Sequence, residues 1–165
     1  MHARRGVSAY IVVMKDLLVM VFILICGATC TSQNLYEHKF EGCDTNLFGL
    51  DAGVNQDAAP LLFEQRILDQ YTSTQLKAID AVVNLQVLIY EDGTACLLSA
   101  HVQGNRTLEE LNVKSIVDTT IGWDAGIEED SDIQSSSVGI RLDYNHGFLT
   151  VRRMSLPEIM KSITN

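Results

Sequence analysis

The acids that follow the single tryptophan are the first place to look for chemistry. In "GWDAGIEEDSD", residues 122–132, Trp123 is followed by Asp124, Glu128, Glu129, Asp130 and Asp132. Calcium takes several carboxylate oxygens at once, but its familiar loops alternate ligand and spacer and place a glycine at their centre. These acids do neither, so the stretch reads as a solvated loop and no metal site is expected. Cys96 and His101 are the nearest approach to a nucleophile and base. Five residues apart on an expected strand, they should point to opposite faces and cannot act together. The remaining histidines, such as His38 and His146, show no zinc spacing, and neither a phosphate-cradling glycine loop nor an exposed-serine elbow occurs. No catalytic residue and no cofactor are therefore expected. Asn105-Arg106-Thr107 spells a glycosylation sequon, but Thr107 is better used as a helix cap.

Two cysteines outside the N-terminal stretch, Cys43 and Cys96, have the chemistry to pair in an oxidising compartment. A bridge would pin the early chain to the sheet and add about 2–4 kcal/mol. The alternative is a small buried hydrophobe at Cys96 and a free thiol at Cys43.

The elements that must position these residues follow from apolar periodicity. Phe63, Ile67 and Tyr71 recur every fourth residue behind Asp57 and Pro60, which predicts a helix over Ala58 to Tyr71. In "AVVNLQVLIYEDGTACLLSAHV", Val83, Leu85, Val87 and Ile89 alternate with Asn84, Gln86 and Tyr90. The second run sets Cys96, Leu98, Ala100 and Val102 on one face, and Asp92-Gly93 supplies a tight turn between the two. Thr107 and Glu110 have capping-box spacing, and Leu108, Leu111, Val113, Ile116 and Val117 form a stripe, so a helix is expected from Leu108 to Thr120. Gly122 ends it. Trp123, just beyond, reads as the anchor that closes the core, since burying such a ring contributes several kcal/mol at roughly 25 cal/mol per Å². A second hairpin follows, "SSVGIRLDY" and "FLTVRR" around Asn145-His146-Gly147, and Pro157 starts a short helical turn.

The fold class implied is α+β in two layers: an antiparallel sheet of two hairpins with two helices packed on one face. One domain is expected over residues 58–165, preceded by an irregular segment over 31–57 with a short strand near Leu35 to Phe40. Residues 1–30 have the shape of a signal peptide: "MKDLLVMVFILICGATC" carries charges at Lys15 and Asp16, an apolar run from Leu17 to Ile25 and then small residues. That run is shorter than the ~20 residues of a membrane span. Met14 offers a second start, and Gly27-Ala28-Thr29-Cys30 offers a poor lipoprotein box in which Cys30 would be acylated. The expected location is periplasmic or secreted, with membrane contact only through such an anchor.

The whole chain has a formal net charge of −9. Without residues 1–30 it keeps 9 bases and 20 acids, a net −11. So acidic a surface disfavours phosphate backbones and anionic lipid headgroups, which argues against nucleic acid as a partner.

From Val82 to Arg153 the chain resembles the C-terminal domain of the TonB family of bacterial energy transducers. The resemblance rests on the strand ending in Asp92-Gly93, the second strand, the helix, the tryptophan of "GWDAG", and the strand "SSVGIRLDY" after a polar loop. It departs from the family at Tyr71-Thr72, where Tyr-Pro is common, and at Asp124, where proline is common. With Pro60 and Pro157 as its only prolines the chain has no proline-rich spacer. The resemblance thus implies a stand-alone TonB-like domain that binds an extended peptide or envelope-protein segment by adding a strand to a free sheet edge. The expected edge is the final hairpin, Val138 to Arg153, or whichever outer strand is left unpaired, with Arg141, Arg152 and Arg153 steering an acidic peptide or simply discouraging edge-to-edge aggregation. The alternative is a secreted or lipid-tethered structural protein without a transport role.

Overall fold

The computed structural model of the chain describes residues 34–45, 48–50, 61–125 and 135–163. The apolar run at 17–25, Cys30, Asp57, Pro60 and the acids at 128–132 lie outside them.

Two hairpins build the sheet. Strand β3 (Ala81–Tyr90) pairs antiparallel with β4 (Ala95–Gly104) and, on its other side, with β5 (Ser135–Asn145), which pairs antiparallel with β6 (Phe148–Met154). Two short strands complete it. β1 (His38–Lys39) lies antiparallel against Ser99 and Ala100 of β4, and β2 (Phe48–Leu50) lies parallel against Ser135–Ser137 of β5. The outer side of β5 is thus divided: residues 135–137 take β2 and residues 139–145 take β6.

The β3–β4 connection is a three-residue loop rather than the two-residue turn expected at Asp92-Gly93. Gly93 N–H donates to the Tyr90 carbonyl at 3.0 Å and Tyr90 N–H to the Thr94 carbonyl at 2.9 Å. Gly93 alone has positive φ, as in a type I turn closed by a glycine bulge. The Asp92 carboxylate accepts from the Thr94 amide and hydroxyl, and both bonds lower its pKa. In the β5–β6 hairpin His146 and Gly147 both have positive φ, which is the two-residue turn that matches strand twist.

On one face of the sheet lie α1 (Leu61–Leu68), α2 (Ser73–Lys77), α3 (Leu108–Leu111) and α4 (Val113–Thr119). Phe63 and Ile67 from α1, and Leu111, Val113, Ile116 and Val117 from α3 and α4, are buried against Val83, Leu85, Val87, Ile140 and Leu142. The helix expected over 108–120 is broken at Asn112, which sits at φ 51 in the left-handed region that asparagine tolerates. The expected helix at 58–71 is shorter within the described residues, ending at Leu68, and α2 starts on a capping box of Thr72 and Gln75. The Thr107–Glu110 capping box forms, with Thr107 N–H on Glu110 Oε2 at 2.8 Å. Asn105 is held inside the chain: its carboxamide donates to the Ala78 carbonyl at 2.9 Å and accepts from Asp80 N–H at 3.0 Å.

The fold is therefore α+β in two layers, with an addition that the alternation of the strands does not announce. The second face of the sheet is covered in part by residues 34–45 and by α5 (Leu156–Ile163). Tyr36, Leu88, Leu98, Met154 and Ile159 are buried there. Gly139 leaves the space that the Ile159 side chain fills, since a Cβ at that position would stand 2.9 Å from Ile159 Cδ1.

Gly104 marks where β4 leaves the sheet. It has φ +137, and a Cβ there would approach the Asp80 carbonyl oxygen to 2.2 Å. Both the backbone angle and the space exclude a side chain, so Gly104→Ala is expected to destabilise by about 2–4 kcal/mol. A urea midpoint unchanged within error would contradict this placement.

Candidate functional site

The three arginines expected along one edge are not arrayed there. Arg141 sits on β5 at a register between Asn84 of β3 and Arg152 of β6, so its strand is internal at that point. Its guanidinium grips Asp143 with two nitrogens, Nε at 2.9 Å from Oδ2 and Nη2 at 2.9 Å from Oδ1. That carboxylate raises the pKa of Arg141. Arg152 lies beside Arg141 on the second face and donates to Glu158 Oε1 at 2.7 Å. The Ser155 amide and hydroxyl, and then Arg152, hold the Glu158 carboxyl at about 2. Arg153 alternates to the helix-bearing face. Arg141 is thus tied to its own strand and Arg152 to α5.

What the outer strand does present is backbone. The two-residue turn makes Asn145 and Phe148 a hydrogen-bonded pair, so Thr150, Arg152 and Met154 also bond inward to β5. Among the described residues, Leu149 and Val151 turn their N–H and C=O groups outward, the template that an added strand needs. Phe148, at the start of this edge, is 76% exposed. Farther along the same side of the sheet β2 is already docked, three residues in parallel with Ser135–Ser137. The Ser135 and Ser136 hydroxyls there are buried without a hydrogen-bond partner.

The N-terminal strap is fixed to the second face by two devices. Cys43 and Cys96 are joined in a disulfide across 53 residues of chain. Gln86, fully buried at the centre of β3, accepts from Leu35 N–H at 2.8 Å and from the Ser99 hydroxyl at 2.7 Å, and donates to the Ser137 hydroxyl at 3.1 Å. Tyr36 adds an N–H to Ser99 Oγ at 3.2 Å, and its hydroxyl lies 3.2 Å from Ser162 Oγ of α5. The signal for this network in the sequence is a polar residue inside an apolar strand, faced by a serine on each neighbouring strand.

Trp123 is 4% exposed, packs on Phe63 with ring centroids 5.0 Å apart, and donates its indole N–H to the Thr120 carbonyl at 3.0 Å. The backbone amides of Gly122 and Trp123 both donate to the Gly93 carbonyl, at 3.0 and 3.1 Å. The aspartate–glycine loop and the glycine–tryptophan segment are one contact.

Cys96 and His101 do not face opposite sides. Val87 pairs with Leu97 and Gln86 with Ser99, so Leu98 is an extra residue, a β-bulge. It puts Cys96 opposite Leu88 and His101 opposite Asn84, both on the second face, while Ala100, opposite Leu85, faces the helices. Cys96 and Ala100 therefore do not share the face expected of them. His101 Nδ1 lies 3.3 Å from Glu37 Oε1, and Cys96 has no thiol to activate. Among the described residues no group of three or more histidine, cysteine or acidic side chains converges as a metal site would require, and no helix is long and apolar enough to cross a membrane.

Comparison of the chain with protein families, with curated proteins and with solved structures finds no match.

Proposed function

We propose that this is an exported, non-catalytic bacterial protein whose TonB-like domain binds an extended segment of a cell-envelope protein by strand addition on the outer side of its sheet. The observation that carries the reading is β2: Phe48–Leu50 lies along Ser135–Ser137 as a parallel strand, so this side already accepts extended backbone. Next to it, among the described residues, the outward groups of Leu149 and Val151 offer a place for a longer segment. On this reading affinity comes from main-chain hydrogen bonds, each contributing about 1 kcal/mol, and selectivity from side chains flanking the edge.

The test is a titration with synthetic peptides from the N-terminal segments of outer-membrane receptors, followed by amide exchange. Slower exchange is expected at Leu149 and Val151. Val151→Pro removes one outward N–H while leaving the inward ladder intact, and should weaken binding about fivefold. Peptides N-methylated at alternate residues should lose at least as much. Equal binding by the methylated peptides would end the proposal.

A second reading, a secreted or lipid-tethered interaction protein without a transport role, is favoured by the engagement of Arg141 with Asp143 and of Arg152 with Glu158. Those pairs leave neither guanidinium free to select an acidic receptor peptide. Failure of every receptor peptide, with retention of another envelope protein by the same edge, would decide for it.

A further inference from the structure

A cleft of about 260 Å³ opens at the end of the helix layer, between α2 and α3. It is a little smaller than the ~300 Å³ at which small-molecule pockets begin. Its apolar side is Ile79 and Leu111, both almost wholly buried beneath it. Its polar side is unusual in what it leaves unused. Arg106 is placed by the bound Asn105 before it and the capping Thr107 after it. Among the described residues the guanidinium meets only Glu110 Oε1, at 3.9 Å, an ion-pair distance beyond hydrogen bonding. Gln75 commits its carbonyl oxygen to the Thr72 amide and hydroxyl, which leaves its NH₂ group without a partner among the described residues. Tyr71 closes one end, with only a long 3.4 Å bond from its hydroxyl to the Leu111 carbonyl. Behind it Tyr144 meets the Tyr71 ring edge-on at 6.4 Å, and the Tyr144 hydroxyl is buried with no hydrogen-bond partner. Burial raises the pKa of both phenols, so each remains an O–H donor at neutral pH.

Donors thus outnumber acceptors. The Tyr71 O–H is spent on the Leu111 carbonyl, so the guanidinium fork and the Gln75 amide face one carboxylate oxygen, Glu110 Oε1, because Oε2 already accepts from Thr107 N–H. A fork of N–H groups beside an apolar floor matches a planar carboxylate with a short hydrocarbon body: two oxygens for Arg106, a third bond from Gln75, and carbon against Ile79 and Leu111. We infer that this cleft is a binding site for a small aliphatic or aromatic carboxylate. The site is separate from the sheet edge and does not depend on the peptide reading.

The experiment titrates the ¹⁵N-labelled protein with sodium hexanoate, hexanamide, sodium acetate and inorganic phosphate. Hexanoate is expected to move the amides of Gln75, Ile79, Arg106 and Leu111 along one saturable curve. Hexanamide, which lacks the charge, should bind at least about tenfold more weakly, as should hexanoate to Arg106→Gln, given the strength of charge-assisted hydrogen bonds. Arg106→Lys, which keeps the charge and loses the fork, should fall between. Acetate binding as tightly as hexanoate would remove the apolar half of the assignment, and phosphate doing so would replace a carboxylate site with a general anion site. Hexanamide equal to hexanoate, or shifts indifferent to Arg106→Gln, would overturn it.

Discussion

Trp123→Ala is expected to lower the stability of the domain by about 3–5 kcal/mol, the range for removing a large aromatic from a packed interior. The ring is 4% exposed and tilted against Phe63, so its loss opens a cavity between α1 and the sheet rather than a surface dent. It also strips the Thr120 carbonyl, on a residue 1% exposed, of its indole donor. Trp123→Phe separates the two effects: it keeps most of the apolar volume and loses the hydrogen bond, and should cost about 1–2 kcal/mol. Circular dichroism during urea unfolding measures both. If the alanine variant lost less than about 1 kcal/mol, Trp123 would not be the closure of this core.

Replacing Cys43 and Cys96 by serine is expected to cost about 4 kcal/mol, the chain-entropy value for a loop closed across 53 residues. The bridge also holds the strap from which Leu35 N–H reaches Gln86. With the strap free, Gln86 Oε1 and the Ser99 hydroxyl would each lose a partner within a buried site. Exchange of the Leu35 and Tyr36 amides should therefore quicken well before global unfolding. Trp123, as the single tryptophan, gives a fluorescence readout of the urea midpoint that is blind to the substitution itself. A shift below about 1 kcal/mol would mean that Gln86 and Tyr36 suffice to hold the strap.

Period and turn chemistry were enough for the parts of this fold made by neighbours in sequence. Val83 through Ile89 alternate because one face of β3 meets helices, and Thr107 with Glu110 announces α3 because a cap needs only residues three apart. The tryptophan after a striped helix could be read as an anchor for the same local reason. The misreadings lie where a distant partner decides. No residue type marks Leu98 as a bulge, yet one extra residue moves Cys96 to the other side of the sheet and undoes the argument about His101. Gln86, Ser99 and Ser137 look like a solvated face, and only their mutual bonds, over 13 and 51 residues of separation, let that face be covered. Asn112 breaks a helix whose stripe runs straight through it. Of the final hairpin only β6 is an outer strand, since β5 is internal over Gly139 to Asn145. Its Arg141 found a partner two residues away, Asp143, on the same face of its own strand. Gln75 and Arg106 were invisible as a pair because the chain that brings them together is the whole first hairpin.

The Cys43–Cys96 bond has a mechanical meaning as well. Tension applied between the two ends of the chain enters at Cys43 and passes through sulfur directly into β4, so α1, α2 and β3 lie in a closed covalent ring that bears none of it. The stretched molecule stops short by the contour of the 53-residue separation, roughly 180 Å at full extension. A tether ending in this domain would pull on an inextensible link, with α1, α2 and β3 sheltered while α3 and α4, which follow Cys96, stay in the line of force.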